Sequence, residues 1–460
     1  CEDVRGVGVL GFKTRDGRTE ISIRNGGLLA DGDCRFCGAC VEVCPTGALH
    51  DKNELLRSYG TKESALVPCR SKCPAHTDVP RYVAYVREGD FSEALAVIRE
   101  KAPFPHTLSL VCMRFCEDAC RRGCVNEAIS IRDIKRIAAE NGTDLWKSRA
   151  KSSPSTGRKV SVIGSGPAGL TAAYYLARKG HTVDVYEKLP KAGGMLRYGI
   201  PGYRLPEEVF ESEIEDILQA GVRLHVNSPK TPQELLNEGT DAVLVAVGAH
   251  KGIRLPIEGN DLPNTYTAVE YLRNAALGSI TGLGDSVLIL GGGNVAFDVA
   301  GVAHRNGIKR IMMACLEPRD AMTAGKEEIE EGLGYGLELY NGKTFLRVVQ
   351  NEEGKLSVLC RDVAELSVDD SGRMNIVPVP DSDQWLTADS VIFAVGQKPE
   401  LEGFELEQNR GLLVVNGHRS SVEKVFACGD SVTGTLSIIH AIASGREAAS
   451  AIDLYLGGDG

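Results

Sequence analysis

The sequence predicts an α/β chain with two nested Rossmann-like dinucleotide-binding domains behind a cysteine-rich N-terminal region. Three observations predict it. Two apolar, β-branched runs end in glycine-rich turns: V-S-V-I-G-S-G-P-A-G-L from Val160 to Leu170, and S-V-L-I-L-G-G-G-N-V-A-F-D from Ser286 to Asp298. Two further apolar runs end in glycine and bracket the second turn: D-A-V-L-V-A-V-G-A (Asp241–Ala249) and D-S-V-I-F-A-V-G (Asp389–Gly396). Of 14 cysteines, 11 lie before residue 125, so the N-terminal region is chemically unlike the rest.

At 460 residues the chain is long enough for two to four domains, at about 150 residues each. A net charge of −10 argues against a nucleic-acid partner. No apolar run has the length of a membrane helix and no signal peptide is visible, so no membrane insertion and a cytoplasmic location are expected. The cysteine spacings are too tight for disulfide staples and favour metal. The chain opens on Cys1 and reads as a fragment or a processed piece.

In chain order, Cys34, Cys37, Cys40 and Cys44, followed by Pro45, match the bacterial-ferredoxin run C-x2-C-x2-C-x3-C-P. A zinc site would take paired Cys-x-x-Cys units separated by a longer loop. In two-cluster ferredoxins the fourth cysteine ligates the other cluster. Cys44 is then expected to serve a second cluster, and Cys34, Cys37 and Cys40 need a further ligand, for which Cys1 is the candidate. The opening C-E-D-V-R-G and the run Cys37–Leu49 resemble the ferredoxin-like module of [FeFe] hydrogenases and of the large iron–sulfur subunit of complex I-type enzymes. On that resemblance residues 1–55 are a partial two-[4Fe-4S] ferredoxin-like domain.

Residues 51–65 are polar and read as a linker. Asp78 or Thr77 can cap a helix that accepts Pro80 in its first turn. Phe91, Leu95 and Ile98 share one helix face. In V-C-M-R-F-C-E-D-A-C-R-R-G-C (Val111–Cys124) the cysteines stand four apart, which on a helix puts them on one face and lets thiolates converge. Buried free cysteines are the alternative. The segment resembles the helical iron–sulfur domain of the glutamate synthase small-subunit family, which includes dihydropyrimidine dehydrogenase. The matching residues are Cys69, Cys73, Pro74, Cys112, Cys116, Glu117, Cys120, Arg121, Arg122 and Ile131–Arg136, and the match runs over residues 65–455. The resemblance implies a helical Fe-S domain over 56–150. Thr61 and Ser64 stand where two-cluster members carry a Cys-x-x-Cys, Lys135 stands where they carry a Gln or Glu ligand, and Cys124 is extra. One cluster rather than two is therefore expected here, with Cys73, Cys112 and Cys116 as first choices among its ligands.

Residues 147–158 read as a polar linker. In the first turn, Gly164 permits the bend, Gly166 admits a pyrophosphate, and Gly169 lets the helix sit on the strand. Pro167 and Ala168 open that helix, whose N-terminus favours phosphate. T-V-D-V-Y (Thr182–Tyr186) is the next strand, and Glu187 stands where an acid binds a ribose hydroxyl, with Lys188 after it. The run Ala192–Pro206 resembles the family segment along FAD, with Gly194, Met195, Arg197 and Arg204 as candidates. For the two arginines a solvated loop cation is the equal alternative. In the second turn the candidates are Gly291, Gly293, Asn294, Val295 and Ala296, the last at a position where the motif allows alanine. After strand Lys309–Ala314, Glu317 suits a free ribose hydroxyl whereas Arg319 attracts a 2′-phosphate. The balance leans to NADH, and the cofactor is written NAD(P)H. Gly248 and Gly396 end the two crossover runs, and V-F-A-C-G-D (Val425–Asp430) resembles the family's final flavin motif, with Gly429 and Asp430 toward FAD. His440 reads as structural. The expected divisions are an FAD domain split into two segments, 158–285 and 391–460, with the NAD(P)-binding domain inserted between them over 286–390.

The resemblance implies hydride exchange between nicotinamide and flavin and single-electron relay through [4Fe-4S] clusters, with no protein acid or base required. It implies a flavin and iron–sulfur subunit of a multisubunit redox complex of hydrogenase, formate dehydrogenase or bifurcating transhydrogenase type, with ferredoxin a further candidate partner. The alternatives are a stand-alone NADPH-oxidising small subunit feeding an amidotransferase-type synthase and, in another class, a zinc-stabilised assembly scaffold.

Overall fold

The computed structural model describes residues 1–52, 62–150, 152–279, 282–369 and 374–460. Lys159–Ile163 is strand because its β-branched residues are buried on both faces, as central parallel strands require. It pairs in parallel with Thr182–Tyr186 and Ala242–Val245. Val222–His225 and Val425–Ala427 close the edges of this five-stranded first sheet. The chain leaves after Ala242–Val245, packs Leu401, Leu406 and Leu413 back on this sheet and returns to it at Val425–Ala427, so the second sheet lies in an insertion.

The inserted second sheet is also parallel, in the order Glu338–Tyr340, Arg310–Ala314, Ser286–Leu290, Ser390–Phe393, Thr265–Thr267. It reaches beyond the expected 286–390 on both sides. Asp389 fixes the join: its carboxylate accepts from Ser286 N at 2.8 Å, Ser286 Oγ at 2.7 Å and Asp285 N at 3.0 Å. An antiparallel layer of Lys343–Gln350, Leu356–Val368, Met374–Pro378 and Gln384–Ala388 covers one face, packing Phe345, Val348, Val358 and Leu386 on Leu288, Leu290 and Met312.

The helical region packs Val79–Glu88, Phe91–Arg99 and Ile131–Asn141 around Cys69, Tyr82, Val97, Ile98, Cys116 and Ala138. Leu95 and Ile98 are buried as the helical period requires. Asp78 takes the N-cap position of Val79–Glu88 but makes no side-chain cap bond, and Thr77 Oγ1 instead meets Cys73 Sγ at 3.3 Å. Both expected linkers carry helix. Lys62–Leu66 is helical, while 53–61, including Thr61, lies outside the described residues. Leu145–Arg149 is helical because Trp146 is buried under the Arg99 guanidinium, 3.8 Å from its ring centroid. The cysteines four apart do not share a helix face: one helix ends at Val111, Arg114 takes φ +60°, and a new turn runs Phe115–Asp118. N-terminal to all this, Leu10–Arg15 and Arg18–Ile23 form a hairpin over Asp16-Gly17, both at positive φ.

Glu213 clamps the helical region to the first sheet's unit. It lies fully buried on helix Glu207–Gln219 and accepts from His106 N at 2.6 Å, Thr107 N at 3.1 Å and Thr107 Oγ1 at 2.6 Å, capping Pro105–Val111. Arg99 reinforces the join through Asp216 at 2.7 Å. Burial pushes the Glu213 carboxyl up to about 7. A raised acid favours its neutral form in the fold, so this contribution is present below about 4.5 and is lost as pH rises through about 7. Wild-type thermal stability should therefore fall over that window, by at most ~1.4 kcal/mol per pH unit. Glu213→Gln should flatten that portion of the melting-temperature profile.

Candidate functional site

The first glycine turn and the start of the helix after the second line one cavity. At the first, Gly164 has φ +102°, and a Cβ there would stand 2.5 Å from the Ala246 carbonyl oxygen. A Cβ at Gly169 would overlap the Gly164 oxygen, so only glycine lets helix Pro167–Arg178 sit this close to its strand. A Cβ at Gly166 would meet only Gly194 Cα, at 3.9 Å, and Gly166 lines the cavity. Glu187 is buried: Oε2 accepts from Ser165 N at 3.0 Å and Ser165 Oγ at 2.6 Å, and Oε1 from Leu189 N at 2.9 Å. Lys188 pairs with Glu400. Gly164, Gly166, Glu187 and Lys188, with Gly194, Met195, Gly248, Gly429 and Asp430, line a cavity of about 500 Å³, and Gly169 lies behind it. Burial pushes the Asp430 carboxyl up to about 6. The N-terminus of the 18-residue helix Ile438–Tyr455 opens on the same cavity beside Ser437. Ser437 Oγ meets His440 Nδ1 at 2.8 Å, and His440 packs edge-on against Phe115.

Arg197 does not line this cavity. Its Nε donates to Ala192 O at 2.6 Å, and its guanidinium pairs with Glu207 and Glu211 beside the Phe210 ring, so helix Glu207–Gln219 takes the charge. Arg204 does line it, and it ties the two sheets together through Asp298 at 2.6 Å and Glu328 at 2.8 Å. His250 is a cavity residue that sequence reasoning missed. Its Nδ1 is buried and without a hydrogen-bond partner among the described residues. Its only signal is its place two residues after Gly248.

At the second turn Gly291 has φ +130°, and a Cβ would overlap the Ala394 oxygen. Gly293 is open but for Thr323 Oγ1 at 3.6 Å. Asn294 Oδ1 accepts from Gly325 N at 2.9 Å, while its Nδ2 faces Met113 Sδ at 3.7 Å. Val295 lines the first cavity and Ala296 is fully buried. Glu317 is half-buried, with its carbonyl accepting from Asn341 Nδ2 at 3.1 Å, and Arg319 is exposed. Gly396 has φ +116° and its carbonyl accepts from Ile253 N at 3.0 Å. A second cavity of about 600 Å³ adjoins the first, sharing Val111, Met113, Arg204 and Asn294 and reaching Cys112 and Cys120.

The thiols fall into groups. Cys34 and Cys37 are the neighbouring thiols of Cys40, whose pKa rises chiefly through burial. Cys44 stands apart, brought down to about 7 mainly by Leu49 N and the Thr46 hydroxyl. Cys1 is exposed. Cys112 and Cys73 neighbour Cys116, whose thiol burial raises and Lys135 opposes. Cys69 neighbours Cys120, and Arg5 Nη1 reaches Cys69 Sγ at 3.8 Å. Cys124 ends the turn Arg121–Cys124. Among the described residues no three His, Cys, Asp or Glu side chains converge tightly enough for a single metal ion. The C-x2-C-x2-C-x3-C-P spacing of Cys34–Cys44 is that of iron–sulfur ligands. The two cysteine-bearing regions meet through main-chain acceptors: Arg121 Nη1 donates to Cys37 O at 3.2 Å and Arg122 Nη1 to Cys34 O at 3.3 Å, while Arg121 Nη2 pairs with Glu42 at 2.9 Å.

Two strand–glycine turn–helix units, with a buried acid after the second strand of the first and a buried, unpartnered imidazole in its cavity, fit dinucleotide binding. With grouped thiols beside that cavity, they define a dinucleotide-dependent oxidoreductase with iron–sulfur units. Comparison with known proteins gives the family. Residues 158–445 match the pyridine nucleotide-disulphide oxidoreductase model, and the chain belongs to that family. Residues 62–145 match dihydropyrimidine dehydrogenase domain II, 4Fe-4S cluster, and residues 31–50 match the 4Fe-4S binding domain. The chain is similar to the NADP(+)-dependent formate dehydrogenase subunit beta of Moorella thermoacetica, 34% identical over 86% of this chain and 60% of that one. It is also similar to the NADPH-Fe(3+) oxidoreductase subunit beta of Geobacter sulfurreducens, 32% identical over 93% of this chain and 71% of that one. The NAD-dependent dihydropyrimidine dehydrogenase subunit PreT of Escherichia coli is 33% identical over 85% of this chain and 91% of that one. The chain thus spans less than two thirds of the first of these relatives. The fold resembles that of FprA from Mycobacterium tuberculosis in complex with NADPH, with a TM-score of 0.57, 19% identity, and coverage of 66% of this chain and 85% of that one. The chain thus joins a pyridine nucleotide-disulphide oxidoreductase domain to two 4Fe-4S segments. No helix among the described residues is long and apolar enough to cross a membrane.

Proposed function

We propose that the chain is the flavin and iron–sulfur subunit of a larger electron-transfer complex, built on the plan of the glutamate synthase small subunit and coupling NAD(P)H to a separate redox partner. The observation that carries this reading is the single cleft. The first glycine turn and the helix start Asn294–Val295 line it, and through shared Val111, Met113, Arg204 and Asn294 it adjoins the cavity that reaches Cys112. Bound there, FAD and nicotinamide supply hydride exchange, and [4Fe-4S] clusters supply one-electron transfer.

The chain's own residues bind and orient. The N-terminus of Pro167–Arg178 and the Gly166 backbone receive a pyrophosphate, and Glu187, held by Ser165 and Leu189, receives a ribose. Gly429 and Asp430 lie along the flavin chain, and Gly293–Ala296 receive the second pyrophosphate. Glu317 and Arg319 lie toward the adenosine ribose and decide between NADH and NADPH. Cys73, Cys112 and Cys116 hold one cluster, and Cys34, Cys37 and Cys40 hold another, with Cys1, Cys44, Cys69, Cys120 and Cys124 the pool for further ligands. The partner is a hydrogenase, formate dehydrogenase or bifurcating transhydrogenase module, a reading supported by the names of relatives that are themselves subunits.

The test is an anaerobic titration of the purified chain with NADH and, separately, NADPH, followed by flavin absorbance and cluster EPR. One nucleotide should bleach the flavin and then bring up a cluster signal. Bleaching by neither would rule out the second turn as a working nicotinamide site.

A further inference from the structure

Tyr82 is fully buried on helix Val79–Glu88, in the core that contains Cys69, Cys116, Val97, Ile98 and Ala138. Its hydroxyl is buried and has no hydrogen-bond partner among the described residues. Buried polar groups are almost always paired, and those that are not point to a missing partner. Other buried tyrosines here are satisfied: Tyr198 Oη donates to Lys191 O at 3.1 Å, and Tyr271 Oη accepts from Asn306 Nδ2 at 3.4 Å. Cys69 and Cys116 share the Tyr82 core, and Cys73 and Cys112 are the other thiols close enough to act on the phenol.

Resting on the reading that Cys73, Cys112 and Cys116 hold a cluster, we propose that Tyr82 Oη donates a hydrogen bond to sulfur of that cluster or of its thiolate ligands and raises its reduction potential. Taking up one electron adds negative charge to the site, and a fixed donor stabilises the more negative state. The phenol keeps its proton throughout, so the only thing transferred is the electron that the flavin delivers. Tyr82 is a tuning residue, with no role in the hydride step.

The test is an EPR-monitored redox titration of the full chain in three forms: wild type, Tyr82→Phe, and 3-fluorotyrosine at position 82. The signal followed is the one that Cys116→Ala removes. Tyr82→Phe should keep its iron and lower the midpoint by about tenfold in the reduction equilibrium, ~59 mV for a one-electron couple. Fluorotyrosine, a stronger donor, should move it the other way. If Tyr82→Phe loses iron, the fluorotyrosine protein decides alone. Unmoved midpoints with iron retained overturn the role of Tyr82 and leave the ligand assignment standing. A wild-type chain without that signal overturns the assignment, and the role of Tyr82 with it.

Discussion

Replacing Gly169 with alanine is expected to strip the chain of flavin and to lower its melting temperature. The added methyl would overlap the Gly164 carbonyl oxygen and stand 3.3 Å from Ala246 Cβ. Both belong to the strand–turn frame, and no flexible side chain is there to move aside. Helix Pro167–Arg178 must shift off strand Lys159–Ile163, taking its N-terminus away from the pyrophosphate position. Overpacking of this kind costs about 1–3 kcal/mol. Expressed as lost nucleotide alignment, that is roughly tenfold to a hundredfold in FAD affinity. Flavin absorbance after gel filtration and a thermal melt read the two effects. Gly202→Ala is the control, since no atom lies within 4 Å of a Cβ there, and it should leave both unchanged.

Cys116→Ala should separate the two halves of the chemistry. The thiol is buried beside Cys73 and Cys112, and its loss removes one corner of the proposed cluster. Iron content should drop by about four atoms per chain, the complement of one [4Fe-4S] unit. Flavin should remain, and a nicotinamide should still bleach it. Electron delivery beyond the flavin should fall at least ~100-fold, because the one-electron carrier is gone. Cys360→Ala tests the specificity: Cys360 is also buried but sits in the antiparallel layer opposite Phe345, in a core cluster with no other cysteine, and its loss should leave iron unchanged. Equal iron in Cys116→Ala and wild type would remove Cys116 from the ligand set.

The portions of the fold that were legible in the sequence are those fixed by local pattern. A glycine turn between a buried strand and a helix depends on residues within a few positions of each other, so Gly164–Gly169 and Gly291–Ala296 announce their own geometry. So do the parallel strands Ala242–Val245 and Ser390–Phe393, whose continuous apolar runs report burial on both faces. What was hidden depends on distant partners. The antiparallel layer of 343–388 has one half-exposed face, and its alternation is diluted by bulges at Phe345/Arg347 and Val363/Glu365. The break at Arg114 uses a left-handed conformation that no glycine advertises, so the four-residue cysteine spacing looked helical. Arg197 turned inward because two glutamates one helical turn apart on Glu207–Gln219 were waiting for it. Glu213 and Tyr82 look like ordinary members of amphipathic helices until their surroundings are known. The second sheet borrows Thr265–Thr267 from outside its expected bounds because the strand is three residues long, too short to register as a pattern.

The way Arg121 and Arg122 grip the N-terminal unit has a consequence for how such chains are assembled. Both guanidiniums donate to main-chain carbonyls of the Cys34–Cys37 loop. Carbonyl positions are set by the path of the loop, and every residue supplies the same oxygen. The carbonyl contacts of this docking surface recognise the path of the loop, while the Arg121 pair with Glu42 and the Arg122 stack on Phe36 read its side chains. The N-terminal unit is thus held by a two-part fitting, in which the carbonyls set the shape of the socket and Glu42 and Phe36 key it to this particular loop.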